Sequence, residues 1–375
     1  MVMCSLSVLA SLVLIIENRF IPALSALSPR PASQWPSISF IIPACNEEET
    51  VREALMTFRD LDYPNYEIVA INDRSTDDTG RILDDLKSQI PMLRVVHNDH
   101  LPEQWLGKVH AMHLGTQQAT GDFLVYIDAD VHLSPDALKK VMSLAVEKEL
   151  DHLTILPGTR KGTYGLECLL SAFAGFFVLL TGAGAVNRGN RKKYVGAGAF
   201  MMVRRSLFDK TEGWPWLSLE IADDVGLAYM MNRHGAKSFV LQGKNDLKLE
   251  WYPDVPGMIQ GLEKNVFAVV CRFSVLRACT IVAAVSLYWL SPIIALFTSA
   301  WPFGVMVLFT NVLTALLGPR MTDKRLPSIF GWFCIPILIY IVIRSSLFTT
   351  RQQGIIWRGT HYPMDQLRKG QRVKL

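Results

Sequence analysis

Apolar residues follow two different patterns along the chain. Between about residues 37 and 128, short apolar runs alternate with segments whose apolar residues recur at helical spacing, as at Val51, Leu55 and Phe58. Runs of this length indicate buried strands, and the alternation predicts an α/β fold with a mostly parallel sheet covered by helices. The predicted strands are 37–43, 66–72, 93–98 and 122–128, and the predicted helices are 48–58, 82–90 and 108–119.

Longer apolar stretches lie outside this alternation, at the first 16 residues, at 164–186 and from about 275 to 348. We predict a membrane anchor within residues 1–20, with a signal peptide as the alternative, because the stretch is short for a span of about 20 residues and lacks a basic start. The glycine-rich stretch at 164–186 predicts a helix at the membrane surface, with a core helix as the alternative.

The region 275–348 predicts a C-terminal transmembrane part, with two spans in 276–318 and a third candidate at 326–348. A basic tail at 349–375 follows, and the positive-inside rule places it in the cytoplasm. Three full spans would put this tail and the globular region on opposite membrane faces. A kinked or re-entrant third segment, with Pro336 in its middle, would remove that conflict.

Composition and charge narrow the class of protein. The chain has 375 residues, a length that allows one globular domain, here predicted at 35–270, and additional helices. Half of the residues are hydrophobic and the mean hydropathy is +0.22, so the additional helices are expected to be apolar. The net charge of +4 is too small and dispersed to favour a nucleic-acid partner. Six cysteines without paired spacing argue against disulfides or zinc and favour a reducing compartment.

Three polar clusters follow predicted strands: Pro43–Glu47, Asn72–Thr79 and Asp128-Ala-Asp130. In parallel sheets ligands bind beyond the carboxyl ends of the strands, so these clusters are expected to share one edge. Each has a simpler explanation as helix caps, and Asp60-Leu-Asp62 repeats the Asp-x-Asp triplet with no assigned function. Two adjacent carboxylates repel unless a cation lies beside them, which predicts a divalent ion that also binds a diphosphate.

Several motifs together resemble the family 2 glycosyltransferases over roughly residues 37–270. "IIPACNEEETV" is similar to the first-strand motif, "INDRSTDDT" to the nucleotide-base motif, "WLGKVHAMHLG" to the G-K segment and "YIDADV" to the metal motif. "GAGAFMMVRRSLFDKTEGW" resembles the acceptor-side loop and "IADDVGLAYMMNRHG" the segment that carries the catalytic base. "GLEKNVFA" (261–268) and "WRGTHYP" (357–363) resemble hopanoid- and carotenoid-associated members.

The resemblance implies a GT-A nucleotide-sugar-binding fold and a role for each matching residue. It implies a Mg²⁺ or Mn²⁺ ion held by Asp130 and Asp128, with Asp128 also meeting the ribose or the sugar. The other implied donor-binding residues are Asp73 at the base, Lys108 at a phosphate, and Pro43, Asn46 and Glu47 at the pocket floor. Lys108 could instead be a solvated lysine.

The resemblance also implies Asp224 as the catalytic base, with a helix N-terminal carboxylate as the simpler alternative. Asp223 stands where the family pattern has glutamate. The implied acceptor-side residues are Gly198, Trp214, Asp223, Trp357 and Arg358. A packing role for Trp214 is equally compatible with the sequence, and His110 with His113 is interpreted as packing rather than as a metal site.

The function that the resemblance implies is an inverting transfer of a sugar from a nucleotide donor, with UDP expected, to a lipid at the cytoplasmic face. The expected location is integral to a bacterial inner membrane. A processive polysaccharide synthase is an alternative, but Gln260 is not followed by the Arg-Trp pair of the Q-x-x-R-W motif; Trp357-Arg358 could replace that pair from the tail. A non-catalytic scaffold is a second alternative, although the base and metal aspartates are all present.

Overall fold

The computed structural model describes residues 2–29, 35–319 and 324–373. Within these residues, strands run over β1 (Ile38–Ala44), β2 (Tyr66–Asp73), β3 (Leu93–Asn98), β4 (Phe123–Tyr126), β5 (His132–Leu133), β6 (His152–Leu156), β7 (Gly158–Thr159), β8 (Met201–Arg204), β9 (Ser238–Gln242), β10 (Leu247–Leu249), β11 (Gly354–Trp357) and β12 (Thr360–Pro363).

Seven of these strands form the central sheet, in the order β3-β2-β1-β4-β8-β6-β9. The pairs of β1 with β2, β1 with β4, β2 with β3 and β6 with β9 are parallel, whereas β8 is antiparallel to both of its neighbours. The predicted α/β class with a mostly parallel sheet is therefore confirmed, and β1–β4 fall on the four predicted strands. A three-stranded sheet, β5-β10-β7, and the hairpin β11–β12 lie apart from it.

Helices surround the sheet and continue beyond it. Their bounds are α1 (Val2–Arg19), α2 (Val51–Arg59), α3 (Thr79–Leu86), α4 (Gly107–Gln118), α5 (Ala137–Glu147), α6 (Tyr164–Thr181), α7 (Ala183–Asn187), α8 (Arg205–Phe208), α9 (Gly213–Trp216), α10 (Asp223–Arg233), α11 (Val255–Val269), α12 (Val275–Leu296), α13 (Trp301–Leu317), α14 (Arg325–Phe330), α15 (Ile335–Arg351) and α16 (Met364–Gly370).

Both faces of the central sheet are buried. Along β1, Phe40 and Ile42 contribute to the core on one face, and Ile41 contributes to the core on the other. The same alternation recurs in β2 and β4, because successive side chains of a strand point to opposite faces. Burial on both sides explains why these strands read as continuous apolar runs rather than as alternating ones. The polar clusters that follow them are consequently confined to the sheet edge.

Among the residues that the structure describes, four segments are long and apolar enough to cross a membrane by length and composition: α1, α6, α12 and the stretch Arg325–Arg351; α13, with 17 residues, is shorter. They differ in how far the protein covers them. In the most apolar 18-residue window, 44% of α6 is buried but only 11% of α12. The predicted helix at 164–186 is interrupted at Gly182, whose φ of +65° is left-handed and ends α6.

The last apolar stretch is not one continuous helix. It divides into α14, a 3₁₀ turn at Gly331–Cys334, and α15. The turn lies against α6, where a side chain at Gly331 would approach the Cys168 carbonyl oxygen to 3.2 Å. Before α14, Lys324 bonds to Glu167 at the start of α6, and after α15 the hairpin β11–β12 returns to the globular domain.

The predicted basic tail is folded in the part that the structure describes. The tail continues α15 to Arg351 and then forms β11, β12 and α16. Leu367 and Val373 are buried against the globular domain. These apolar positions recur too sparsely between basic residues to have predicted docking. Met1 of the predicted anchor and residues 374–375 of the predicted tail lie outside the described residues.

Candidate active site

A cavity of about 330 Å³ opens at the carboxyl ends of β1, β2 and β4. All three polar clusters contribute to its wall, as expected for strand ends that meet at one edge. Its lining residues are Pro43, Ala44, Cys45, Glu47, Asp73, Arg74, Gly107, Lys108, Asp128, Ala129, Asp130, Trp251, Lys264, Trp357, Arg358 and Tyr362. Most of the predicted donor-binding residues therefore lie in one place.

Asn46 shapes the wall without lining it. Its φ of +55° is left-handed, which asparagine tolerates better than most residues. Its side-chain oxygen accepts a hydrogen bond of 2.8 Å from the Thr76 backbone amide, and the Asn46 backbone amide donates to Ser75 Oγ. Asn46 thus ties the loop after β1 to the loop after β2, so that Glu47 faces the cavity.

Asp73 is held rigidly at the end of β2. The Arg74 guanidinium donates to both carboxylate oxygens, at 3.0 and 2.7 Å, and Asn98 Nδ2 donates to Oδ1 at 2.7 Å. Gly107 lets the start of α4 approach this group, because a Cβ there would lie only 2.8 Å from Asp73 Oδ2. Asp73 is nearly inaccessible, yet it forms part of the cavity wall.

Asp128 and Asp130 follow β4 and differ in their partners. Lys108 Nζ lies 2.7 Å from Asp128 Oδ1. Burial, with the nearby charges of Asp128 and Glu47, raises the pKa of Asp130 to about 7. Burial would lower the pKa of Lys108, but Asp128 and Asp223 outweigh it and the pKa is raised. Negative charge is therefore in excess around Asp130.

This excess fits a bound divalent cation, which would supply the missing positive charge. Among residues 2–29, 35–319 and 324–373, no cluster of three or more His, Cys, Asp or Glu side chains is arranged to hold a metal. A divalent ion at this edge would take Asp128 and Asp130 as carboxylate ligands, with substrate oxygens and water completing the shell. Magnesium commonly binds in this way.

Asp223 and Asp224 begin α10 near Lys108. Lys108 Nζ is 3.6 Å from Asp223 Oδ2, and the Gly198 amide donates to Asp224 Oδ2 at 3.0 Å. Burial and the neighbouring Asp223 raise the pKa of Asp224 to about 7. Such a carboxylate can accept a proton near neutral pH. Neither aspartate lines the cavity directly.

Gly198 connects the two acidic pairs. A Cβ at this position would lie 3.0 Å from Lys108 Nζ and 3.1 Å from Asp128 Oδ2. A side chain at this position would therefore press on the Lys108–Asp128 ion pair, which glycine leaves undisturbed. The placement of Gly198 agrees with its predicted proximity to the site.

The hairpin β11–β12 closes one side of the cavity. Its turn consists of Arg358 and Gly359, with φ of +46° and +78°, which suits the twist of a tight hairpin. Arg358 forms an ion pair with Glu47, and Tyr362 Oη accepts a bond from the Gly107 amide at 3.3 Å. Trp357 and Arg358, predicted on the acceptor side, thus line the cavity beside donor-side residues.

Trp214 and the histidine pair lie elsewhere. Trp214 is buried in the core, packs edge-on against Tyr126 with the ring centres 4.8 Å apart, and donates to Thr116 Oγ1. This environment favours packing over the predicted contact with an acceptor. His113 stacks on Trp105 with ring centres 5.2 Å apart, in agreement with its interpretation as packing.

Sequence reasoning assigned no role to Cys45, Arg74, Trp251, Lys264 or Tyr362, all of which line the cavity. Cys45 lies in "IIPACNEEETV" and Arg74 in "INDRSTDDT", where the resemblance implied roles for the neighbouring residues instead. Lys264 and Tyr362 lie in "GLEKNVFA" and "WRGTHYP", which carried a family likeness but no chemistry. Trp251 had no signal of its own.

The end of the chain is fastened to the loop that precedes Asp223. Glu220 is 1% exposed and accepts bonds from the Arg372 and Val373 amides at 2.6 and 2.9 Å, and from the Ala222 amide at 3.2 Å. Val373 packs against Ala222 and Val225. The C-terminal segment thereby fixes the approach to α10 and its aspartates.

Part of the chain is similar to known glycosyltransferases. Residues 39–211 match the profile of Glycosyl transferase family 2. A β-monoglucosyldiacylglycerol synthase of Synechocystis sp. is 29% identical over 218 residues, which is 55% of this chain and 42% of that protein. A poly-β-1,6-N-acetyl-D-glucosamine synthase of Staphylococcus epidermidis is 34% identical over 106 residues, covering 28% of this chain and 24% of that one. The chain thus spans less than half the length of these curated relatives.

The fold has a solved counterpart. The mannosyltransferase of Pyrobaculum calidifontis, solved with GDP-mannose and Mn²⁺, superposes with a TM-score of 0.54 at 17% identity, covering 93% of this chain and 97% of that one. This likeness concerns the GT-A architecture. The profile match makes residues 39–211, just under half of the chain, similar to the family 2 glycosyltransferases, and the acidic cavity opens at the sheet edge of this part.

Proposed function

We propose that the protein transfers a sugar from a nucleotide-sugar donor, a UDP-sugar, to the hydroxyl group of a membrane lipid. The observation that carries this proposal is the convergence of Asp73, Lys108, Asp128 and Asp130 in and around one cavity, with Asp224 joined to them through Gly198. If these groups lay on separate surfaces of the protein, they could not act on one substrate.

The donor end of the cavity contains the groups that such a substrate needs. Asp73, held by Arg74 and Asn98, is placed to meet the nucleotide base, and Glu47 and Pro43 form the floor. Asp128 and Asp130 would hold a Mg²⁺ or Mn²⁺ ion, which when bound neutralises charge on the diphosphate as it leaves. The excess negative charge around Asp130 supports this assignment.

Asp224 is the proposed general base. In a single displacement at the anomeric carbon, the lipid hydroxyl attacks, its proton passes to Asp224, and the nucleoside diphosphate departs, which inverts the configuration. The pKa of about 7 permits Asp224 to accept that proton near neutral pH. Its hydrogen bond from the Gly198 amide orients the carboxylate. Asp223, 3.6 Å from Lys108 Nζ, lies next to Asp224 on the proposed acceptor side.

A lipid acceptor is supported by the helices around the site. The long apolar helices α1, α6 and α12 meet the length and composition needed to cross a membrane, and a relative is named for making monoglucosyldiacylglycerol. We propose an integral protein of the bacterial inner membrane with the cavity on the cytoplasmic face. After α15 the hairpin β11–β12 returns to the cavity, which supports placing this end of the stretch on the same membrane face as the cavity.

The test is incubation of membranes containing the full chain with a panel of labelled nucleotide sugars, followed by lipid extraction. Asp224→Asn should abolish most of the label in lipid, and Asp60→Asn should serve as the matched control, because Asp60 is exposed and pairs only locally with Arg59. Equal labelling of lipid by the wild type and Asp224→Asn would contradict the assignment of Asp224 as the general base. Sugar transfer that continues after divalent ions are removed would contradict the proposed metal site at Asp128 and Asp130.

A polysaccharide synthase is the second candidate. Trp357 and Arg358 line the cavity and could take the place of the missing Arg-Trp pair, and one relative is a polysaccharide synthase. The same incubation distinguishes the two, because polymer synthesis would place the label in material of increasing length rather than in one lipid. Absence of any transfer would favour the scaffold alternative.

A further inference from the structure

Four cationic side chains line the cavity, and one of them differs from the rest. Three form ion pairs with carboxylates of the same wall: Arg74 with Asp73, Lys108 with Asp128, and Arg358 with Glu47. Within the described ranges, Lys264 has no carboxylate at ion-pairing distance. A partly buried ammonium without a counter-ion is costly, so its retention in a polar cavity suggests a ligand.

The backbone beside Lys264 is fixed by its neighbours on α11. Arg344 Nε of α15 lies 2.7 Å from Glu263 Oε2. Ser345 Oγ donates to the Glu263 carbonyl oxygen and accepts a bond of 2.9 Å from the Phe267 amide. These bonds fasten α11 to α15 on both sides of Lys264, so the position of its side chain is determined by the fold.

An aromatic ring holds the ammonium group in place. Lys264 Nζ lies 4.3 Å from the centre of the Trp357 ring, within the range of a cation–π contact. This contact orients the charge but does not neutralise it. Burial and the nearby charges of Lys108 and Arg358 lower the pKa of Lys264 to about 8. An anion in the cavity would relieve that repulsion.

We propose that Lys264, oriented by Trp357, binds the terminal phosphate of the donor's nucleoside diphosphate. The proposal rests on the proposed function, because it deepens the donor site described above. Lysine suits this task because its ammonium is a compact point charge with three donors. It shares the cavity wall with Asp73, Asp128 and Asp130, which favours the donor over a lipid phosphate approaching along the apolar helices.

The experiment measures nucleotide binding to the purified full chain in detergent, with Mn²⁺, by isothermal titration calorimetry. UDP and GDP are compared with UMP and GMP for the wild type, Lys264→Met and Lys264→Arg. Lys210→Met is the control, because Lys210 is exposed and lies outside the cavity lining. A charge-assisted hydrogen bond predicts that Lys264→Met weakens diphosphate binding about tenfold to a hundredfold.

Monophosphate binding should change less than about threefold in Lys264→Met, which also demonstrates that the cavity is intact. Lys264→Arg should recover part of the diphosphate affinity, because it restores the charge but not the compact shape of the ammonium. Trp357→Leu should lower that affinity by less than Lys264→Met, because a cation–π contact is weaker than the bond that it orients. Equal weakening of monophosphates and diphosphates, or no weakening of either, would overturn the proposal.

Two further outcomes separate this proposal from the proposed function. If neither UDP nor GDP binds the wild type, the donor site itself is wrong. If Lys264→Met leaves diphosphate binding unchanged but raises the KM for the lipid acceptor, Lys264 serves an anionic acceptor instead, and the phosphate assignment fails while the transferase survives.

Discussion

The Asp-x-Asp triplet occurs twice in this chain, in very different surroundings. Asp60 and Asp62 follow the exposed end of α2, and their side chains are 56% and 68% accessible. Each pairs with a nearby cation, Arg59 or Lys139, at the protein surface. Asp128 and Asp130 follow a strand buried on both faces. Burial and the neighbouring negative charges raise the pKa of Asp130. The motif is the same; the dielectric and the neighbours differ.

This contrast shows what converts a common triplet into a site. At the surface, water screens each charge and a pair contributes little. At the sheet edge, the loops after β1 and β4 and the start of α4 bring Glu47, Lys108, Asp128 and Asp130 into one cavity wall, where each is partly shielded from water. Burial and the neighbouring charges of Asp128 and Glu47 there raise the pKa of Asp130 to about 7. Substitutions at the two triplets should therefore have unequal effects.

The largest effect is expected for Asp130→Asn. This change removes one proposed carboxylate ligand and the excess charge that would attract the ion. We expect the transfer rate at a fixed, subsaturating concentration of Mn²⁺ to fall by about a hundredfold or more, as for loss of a group that stabilises developing charge. Titration of activity with Mn²⁺ is the measurement. Unchanged half-saturation by Mn²⁺ would show that Asp130 is not a ligand.

The next effect is on the pH dependence of transfer. Asp224 acts only when deprotonated, and its pKa is raised to about 7. With the divalent ion saturating, the rate should therefore rise about tenfold per pH unit below pH 7 and level off above it. The residual rate of Asp224→Asn should lack this slope. A flat profile for the wild type between pH 5.5 and 7.5 would contradict Asp224 as the base.

A smaller effect is expected for Glu220→Gln. The carboxylate accepts bonds from three backbone amides, of which two belong to the C-terminal segment. The amide of glutamine would place a donor against one of them, and the free energy of unfolding should fall by about 1–3 kcal/mol. Thermal unfolding measures this. Glu212→Gln, which weakens only the contacts of Glu212 with Arg233 and His234, is the control and should lose less.

The smallest effect is expected at the other triplet. Asp60→Asn and Asp62→Asn remove exposed ion pairs, so neither the melting temperature nor the transfer rate should change measurably. Activity assays and thermal unfolding on both variants check this. A loss comparable to that of Asp130→Asn would show that the triplet itself, rather than its surroundings, carries the function.

Local patterns in the sequence were sufficient for the fold class and for the acidic cluster. The strands β1, β2 and β4 are short apolar runs buried on both faces, and a parallel arrangement necessarily brings their polar ends to one edge. Asp73, Asp128 and Asp130 are therefore predictable from their positions after those strands. Their individual roles came from resemblance rather than from position.

Tertiary structure decided the parts that depend on residues far apart in the chain. Lys264 pairs with a ring 93 positions away, and the terminal segment bonds to Glu220 from 152 positions away. Trp214, placed near the acceptor by the motif, lies in the core because Tyr126 and Thr116 surround it. Periodicity reports which face of an element is apolar, but not which distant element covers it. Contacts of this kind follow from packing the whole chain, and no local pattern contains them.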